Sequence, residues 1–254
     1  MRYFVEFAYE GTPYHGWQRQ PNALGVQEVM EEGFSLLCGT PIALTAAGRT
    51  DTGVHARHMV AHFDIEDSLE TADLSHRLNS FLPKDISIKR IYPVTNEAHA
   101  RFDAIERTYE YVVVQQKDPF HQHSAHFVHQ VLDVENMNRA AGLLLGTADF
   151  KCFSRSNTDV KTYVCDIREA RWVWEGDRLV FRIVADRFLR NMVRAIVGTL
   201  LQVGLGKWSA EDVKTIINSR KRSEAGPSVP AKGLYLVDIS YPEKLLKIHG
   251  SGDR

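Results

Sequence analysis

An arginine, a threonine and an aspartate stand together at Arg49-Thr50-Asp51, bracketed by Gly48 and Gly53 and followed by His55. The stretch AAGRTDTGVH comes after an apolar run, so it falls where a strand ends. A carboxylate at such a place has two readings. Asp-Thr-Gly is ordinary turn chemistry, because Asp bonds its own backbone and Gly takes positive φ. It is also how a nucleophile or acid is set beside a cation that keeps it ionised.

Three further groupings could do chemistry. YHGWQRQP offers Trp17, Arg19 and two amides, a set suited to stacking and hydrogen-bonding unpaired bases, unless Trp17 folds into the core. RFDAIERTYEY supplies Arg101, Arg107, Tyr109 and Tyr111. The two tyrosines share one face of a strand, either as core or as a base platform flanked by phosphate-binding arginines. In RFLRNMVRAIVGTLL, read as a helix, Arg187, Arg190 and Arg194 form one stripe opposite Leu189, Val193, Ile196 and Leu200. That stripe is either a solvated face or an arginine row for an anionic backbone.

Other patterns carry little. The histidines His121, His123, His126 and His129 have no nearby carboxylate or cysteine set, so no metal site is expected. VGLGKWS fails as a phosphate loop, since Leu201 stands where the first glycine belongs and Trp208 follows Lys207. No dinucleotide fingerprint is present. Neither a cofactor nor a metal is expected.

These residues need elements to position them. RYFVEFAY, PIALTAAG, RHMVAHFDI and DISIKRIYPV read as strands. GVQEVMEEGFSLLCG reads as a helix with Val26, Val29, Met30, Gly33, Leu36 and Leu37 on one face, closed by Gly39. TADLSHRLNSFLP is a second helix, stopped by Pro83. The order β-α-β-β-α-β is that of ferredoxin-like and RRM-like sheets. The second half partly repeats it. RTYEYVVVQ is a strand, and KDPFHQHSAHFVHQ a long loop. DVENMNRAAGLLLG is a helix from Asp133 to Gly146. TYVCDIREARWVWEG and DRLVFRIVAD form a hairpin, followed by the arginine helix, the helix SAEDVKTIINSR and the strand GLYLVDISYP. The expectation is an α+β protein of two RRM-like halves with antiparallel sheets. Residues 1–100 hold the Asp51 loop, residues 101–254 hold the Tyr109 strand and the arginine helix, and an active-site cleft lies between the halves.

Composition sets the outer bounds. With 254 residues and a net charge of −1, any nucleic-acid footprint must be local. The three cysteines, Cys38, Cys152 and Cys165, form no CxxC pair and suit a reducing compartment. No signal peptide or membrane-length apolar run is visible, so a soluble, cytoplasmic protein is expected.

Taken together, YEGTPYHGWQRQ, GVQEVME, AGRTDTGVHA, HARFDAIERTYEY, NMVRAIVG and KGLYLVDISYP resemble, in order and over nearly the whole chain, the motifs of the tRNA pseudouridine synthase A family. The resemblance implies an isomerase that converts uridines thirty-eight to forty of the tRNA anticodon arm to pseudouridine. It implies a homodimer that works without cofactor around a basic cleft. Asp51 matches the nucleophile, Tyr109 the tyrosine that stacks on the target base, and Arg194 the arginine that pairs with the aspartate. Arg49, just before the aspartate, matches an arginine of the same active-site motif and is expected to be catalytic with Asp51 and Arg194. The chemistry is consistent with this. Moving the uracil from N1 to C5 needs no redox or hydrolytic agent. It needs an ionised carboxylate, which either attacks C1′ or takes a proton from the sugar, and an aromatic partner for a flipped base. Two other classes fit parts of the sequence: a dimeric aspartic-type protease, through the Asp51-Thr52-Gly53 triplet, and a non-catalytic RNA-binding module of RRM-like halves.

Overall fold

The computed structural model describes residues 1–155 and 160–246. It divides into two compact units. One comprises Met1–Glu106 together with the chain from Leu236 onward, the other Arg107–Tyr235. The boundary therefore falls after Glu106 rather than after residue 100. The last strand, expected with the second half, counts with the first unit over Leu236–Ser240. Its pairing is non-local, and no local pattern announces such a partner.

The first unit is built on β1 (Arg2–Tyr9), β2 (Thr45–Ala46), β3 (His55–Asp64) and β4 (Ile86–Val94), with α1 (Val26–Cys38) and α2 (Thr71–Phe81). The strands run in the order β4-β1-β3, with β2 on β3, all antiparallel. This is the split βαβ arrangement read from the sequence. The strand β10 (Leu234–Ser240) also lies beside β3. Tyr3 stacks on Phe63 with ring centroids 5.6 Å apart, and Phe34 meets Phe63 edge-on at 5.0 Å. The buried face of α1 is Val26, Met30, Gly33 and Phe34, whereas Leu36 is 64 % exposed. Leu36 thus lies off the face assigned to it, and Phe34, one turn after Met30, does the packing. Gly39 closes α1 with φ 69°, as expected of a left-handed C-cap. PIALTAAG yields a much shorter strand than expected, Thr45–Ala46.

The second unit holds β5 (Glu106–Val114), β6 (His126–Phe127), β7 (Gly146–Asp149), β8 (Val164–Glu175) and β9 (Arg178–Ala185), with α3 (Val134–Gly142), α4 (Met192–Gly204) and α5 (Asp212–Ser219). The sheet order is β5-β9-β8-β7, antiparallel, and β6 adds a short parallel contact to β5. Asp133 caps α3 as expected, accepting from the Asn136 N–H at 2.9 Å. The helix stops at Gly142, however, and Gly146, at φ 93°, opens β7 instead of closing α3.

The larger correction concerns the arginine helix. α4 begins only at Met192, because Asn191 sits at φ 66°. Asn tolerates that conformation where most residues do not. Arg187 and Arg190 precede the helix, so the three-arginine stripe does not form. Nor is α4 a two-sided surface helix. All its residues except Arg194 and Gln202 are buried. Among the described residues, no helix is long and apolar enough to cross a membrane.

Candidate active site

The segment from Ala46 to His55 leaves β2 and returns as β3, and the chain between Tyr9 and Trp17 clasps it. The Ala47 N–H still bonds Val60 O at 2.8 Å, after which pairing to β3 lapses. Thr50 is buried, and its hydroxyl shares a 2.8 Å hydrogen bond with the Tyr9 hydroxyl. The Trp17 N–H donates to Thr50 O at 3.3 Å, and the Gly53 N–H donates to Tyr14 O at 3.2 Å. The Val54 N–H closes a turn onto Asp51 O at 3.1 Å, with Gly53 at φ 74°, as a type II turn requires of its third residue. Buried His55 accepts from the Gly11 N–H at 3.0 Å through Nδ1. These bonds immobilise the backbone on both sides of Asp51, whose side chain is half-buried.

Two close approaches make the clasp possible. A Cβ on Gly16, whose φ is 87°, would stand 2.4 Å from Thr50 O. One on Gly11 would stand 2.0 Å from Val54 O. The glycines of YEGTPYHGWQRQ therefore let one loop lie directly against the other. Tyr14 anchors the clasp to the β4 side, its hydroxyl donating to Asp85 Oδ1 at 2.6 Å. Burial and that carboxylate raise the phenol well above the usual tyrosine range, so it stays a donor.

Trp17 takes the core alternative. It is 2 % exposed and its ring packs on Phe7 at 5.3 Å, so it is not a free stacking surface. Arg19 is exposed, with Glu28 at 3.6 Å and Glu31 at 3.8 Å on α1. The amides beside it have a structural task. Gln27 Oε1 accepts from Gln18 Nε2 at 2.8 Å and from the Arg19 N–H at 3.0 Å, while Gln27 Nε2 donates to Glu31 and to Leu44 O. This network floors a cavity of about 230 Å³, whose rim includes Gly48, Arg49 and Arg101. Arg49 is exposed.

The second unit carries the remaining candidates. Tyr109 and Tyr111 share a face of β5 but differ in setting. Tyr111 is fully buried and donates to Pro230 O at 2.8 Å; Tyr109 is half-buried and meets Phe188 edge-on at 5.1 Å. Arg107 donates to Asp186 O at 2.8 Å, and the Asp186 carboxylate accepts from the Arg187 and Asp166 N–H groups, both at 2.8 Å. Arg190 is exposed.

Arg194 emerges from the first turn of α4 and is held by the segment 225–229. Its Nε donates to Val229 O at 2.7 Å, and Val229 N returns a bond to Arg194 O at 3.2 Å. Asn191 Nδ2 and Arg222 Nη2 both reach Ser228 Oγ, and the Gly226 N–H donates to Thr199 Oγ1 at 2.9 Å. A guanidinium fixed through Nε presents its two terminal nitrogens as a fork, the geometry that receives a carboxylate.

Within the first unit the fold gathers Arg49 and Asp51 on one loop, with Arg101 beside Arg49. Within the second it gathers Tyr109 with Phe188 and fixes Arg194. Sequence reading missed the supporting residues: Tyr9, Thr50, Gly16 and Gln27 around Asp51, and Asn191, Ser228 and Val229 around Arg194. Only the glycine-rich spacing of YEGTPYHG hinted at the first set. Among the described residues no cluster of three or more His, Cys, Asp or Glu could hold a metal ion. Burial pushes the Cys152 and Cys165 thiols up to about 12, which leaves them unreactive.

A family model described as tRNA pseudouridine synthase matches residues 7–103 and 140–242. It spans the Asp51 loop and α4 but leaves out the stretch that holds Tyr109. The chain is 52 % identical over 248 residues to the tRNA pseudouridine synthase A of Porphyromonas gingivalis, covering 96 % of this chain and 98 % of that one. It is 49 % identical over 248 residues to the protein of the same name from Parabacteroides distasonis, at 97 % and 98 % coverage. With the namesake from Exiguobacterium sibiricum it shares 36 % identity over 242 residues, at 95 % and 97 % coverage.

Proposed function

The chain belongs to the tRNA pseudouridine synthase family, and from that premise we propose that it isomerises uridines thirty-eight to forty of the tRNA anticodon arm, with Asp51 as nucleophile. The observation that carries the reading is the clasped turn, which holds the half-buried Asp51 carboxylate between Arg49 and Gly53 within the stretch the family model matches. The protease and the bare RNA-binding readings find no support in that match.

Each residue has a task in the proposed reaction. The Asp51 carboxylate attacks C1′ of the target nucleotide, and the N1–C1′ bond breaks with its electron pair on the uracil. The free base turns, C5 attacks C1′, and the carboxylate leaves. The C5 proton is then lost and N1 gains one, which restores the ring; the Tyr109 hydroxyl relays the C5 proton, releasing its own to solvent as it accepts. Arg194 offers its fork to Asp51, holding the carboxylate in place and favouring its charged form. Tyr109, set perpendicular to Phe188, stacks on the flipped base. Arg49, two residues before the nucleophile, acts with Asp51 and Arg194 in catalysis. Arg107, Arg187, Arg190 and exposed Arg19 supply cationic contacts for the RNA backbone, while Trp17, buried against Phe7, serves only through the loop it holds. The same reading includes a homodimer and a cytoplasmic location.

The test is tritium release from tRNA transcripts labelled at uracil C5. The parent protein is expected to release tritium, and Asp51→Asn to release none while its tRNA affinity stays within about an order of magnitude, since phosphate contacts dominate RNA affinity. Release at the parent rate by Asp51→Asn would refute the assignment.

A further inference from the structure

The turn after β4 carries a phenylalanine and an arginine outward on a tightly pinned framework. Ala98 O accepts from Arg2 Nη1 at 2.9 Å, and Ala100 O accepts from the Tyr241 hydroxyl at 2.6 Å. The Ala100 N–H donates to Nδ1 of buried His62 at 3.2 Å. The His99 N–H donates to Asp103 Oδ2 at 2.7 Å, and the Asp103 N–H returns to His99 O at 3.0 Å. His99 Nδ1 accepts from the N–H groups of Arg101 and Phe102 at 3.2 and 3.4 Å. The His99 ring in turn rests against His62 at 4.6 Å and backs the Phe102 ring at 4.2 Å. Burial lowers both imidazoles, His62 to about 4, so each remains the neutral acceptor the turn needs.

Against that rigidity, Phe102 is 75 % exposed. Its ring contributes little to the core, yet the backbone beneath it is fixed. The Arg101 guanidinium carbon lies 5.9 Å from the Phe102 ring centre, and Arg101 shares the rim of the cavity with Gly48 and Arg49. An ordered, exposed aromatic with an arginine beside it has the composition that stacks an unpaired base and holds its phosphate. We propose that Phe102 is a stacking platform for an unpaired tRNA nucleotide other than the target uridine, with Arg101 on that nucleotide's phosphate. This rests on the proposed action on tRNA. Arg101 beside the ring and Arg49 on the rim of the same cavity as Arg101 favour a polyanion over a second protein surface.

The experiment measures affinity for an unmodified tRNA transcript and for transcripts made abasic at one anticodon-loop position at a time. Phe102→Ala is expected to bind the intact transcript between about five-fold and a hundred-fold more weakly, with Phe102→Trp restoring affinity and Phe102→Leu not. One abasic transcript should weaken the parent by the same factor, and on that transcript Phe102→Ala should cost nothing more. Arg101→Ala should reduce the slope of log affinity against log salt by about one phosphate contact. Parent-like affinity of Phe102→Ala overturns the proposal. So does an equal loss on every abasic transcript, or a change of oligomeric state in Phe102→Ala, which would place the ring between two copies of the chain. Tritium release by the parent is scored separately: binding without release would refute the proposed reaction and leave the platform test standing.

Discussion

The Asp51 loop and the start of α4 both present one charged side chain, and they do so by opposite means. The loop has almost no regular structure of its own. A second loop holds it through backbone bonds to Thr50 and Gly53, a turn closes it from Val54 to Asp51, and Gly16 and Gly11 admit the contact. Arg194 projects from a regular helix that is buried along nearly its whole length and riveted to the segment 225–229. The loop depends on a few atoms lying at particular distances, so small steric changes there move the carboxylate. The helix depends on packed area, so changes there cost stability before they move the guanidinium.

The largest effect expected on that contrast is at the anchor of the clasp. Trp17→Ala should lower unfolding free energy by about 3–5 kcal/mol, as for other buried aromatics cut to alanine. Chemical denaturation measures this. An unchanged midpoint with weakened tRNA binding would return Trp17 to the role of an exposed stacking residue. Arg194→Ala should reduce single-turnover conversion by about 10²–10³-fold, the range seen when one transition-state stabiliser is removed. Arg194→Lys should recover part of the rate, because the charge returns without the fork. Parent-like conversion in Arg194→Ala would transfer the pairing to Arg49.

A matched pair of glycine variants sharpens the comparison further. Gly16→Ala would place Cβ 2.4 Å from Thr50 O at a left-handed φ, shifting the Asp51 loop. A displacement on the order of 1 Å should cost about 10²-fold in rate, with tRNA affinity retained. Gly198→Ala, whose Cβ would stand 1.7 Å from Pro227 O, should prise α4 from its strap and lower stability by about 3 kcal/mol. If Gly198→Ala lost rate without stability, the proposed division between a distance-limited loop and a packing-limited helix would fail.

The smallest effect concerns pH. His62 is pushed down to about 4, chiefly by burial and then by Arg2 and His99, against an ordinary value of 6.5. The unfolded chain therefore binds this proton first as pH falls. The contribution of His62 to stability is complete above about 6.5 and is lost between there and about 4, a matter of roughly 2–3 kcal/mol. His62→Gln, which keeps an acceptor for the Ala100 N–H, should flatten stability across that window. An unaltered slope would show that other groups govern it.

How legible this protein was differs from segment to segment. Local patterns placed β1, β3, β4, α1, α2 and the β8–β9 hairpin, because alternation, helical spacing and Gly39, Pro83 and Gly176-Asp177 act over a few residues. They also singled out Asp51, since a carboxylate between Arg49 and Gly53 is readable as chemistry without a fold. Tertiary structure decided the rest. It buried Trp17 against Phe7, because a large apolar ring gains more from a core than from solvent. It separated Tyr111 from Tyr109, which no alternation can do, since both lie on one face of β5. It ended the arginine stripe at Asn191, where a single left-handed residue outweighed a run of helical spacing. It also placed β10 beside β3, far away in sequence. Short-range pattern records what each segment can form, but which of two apolar or charged residues is covered depends on contacts between segments that the chain makes only when folded.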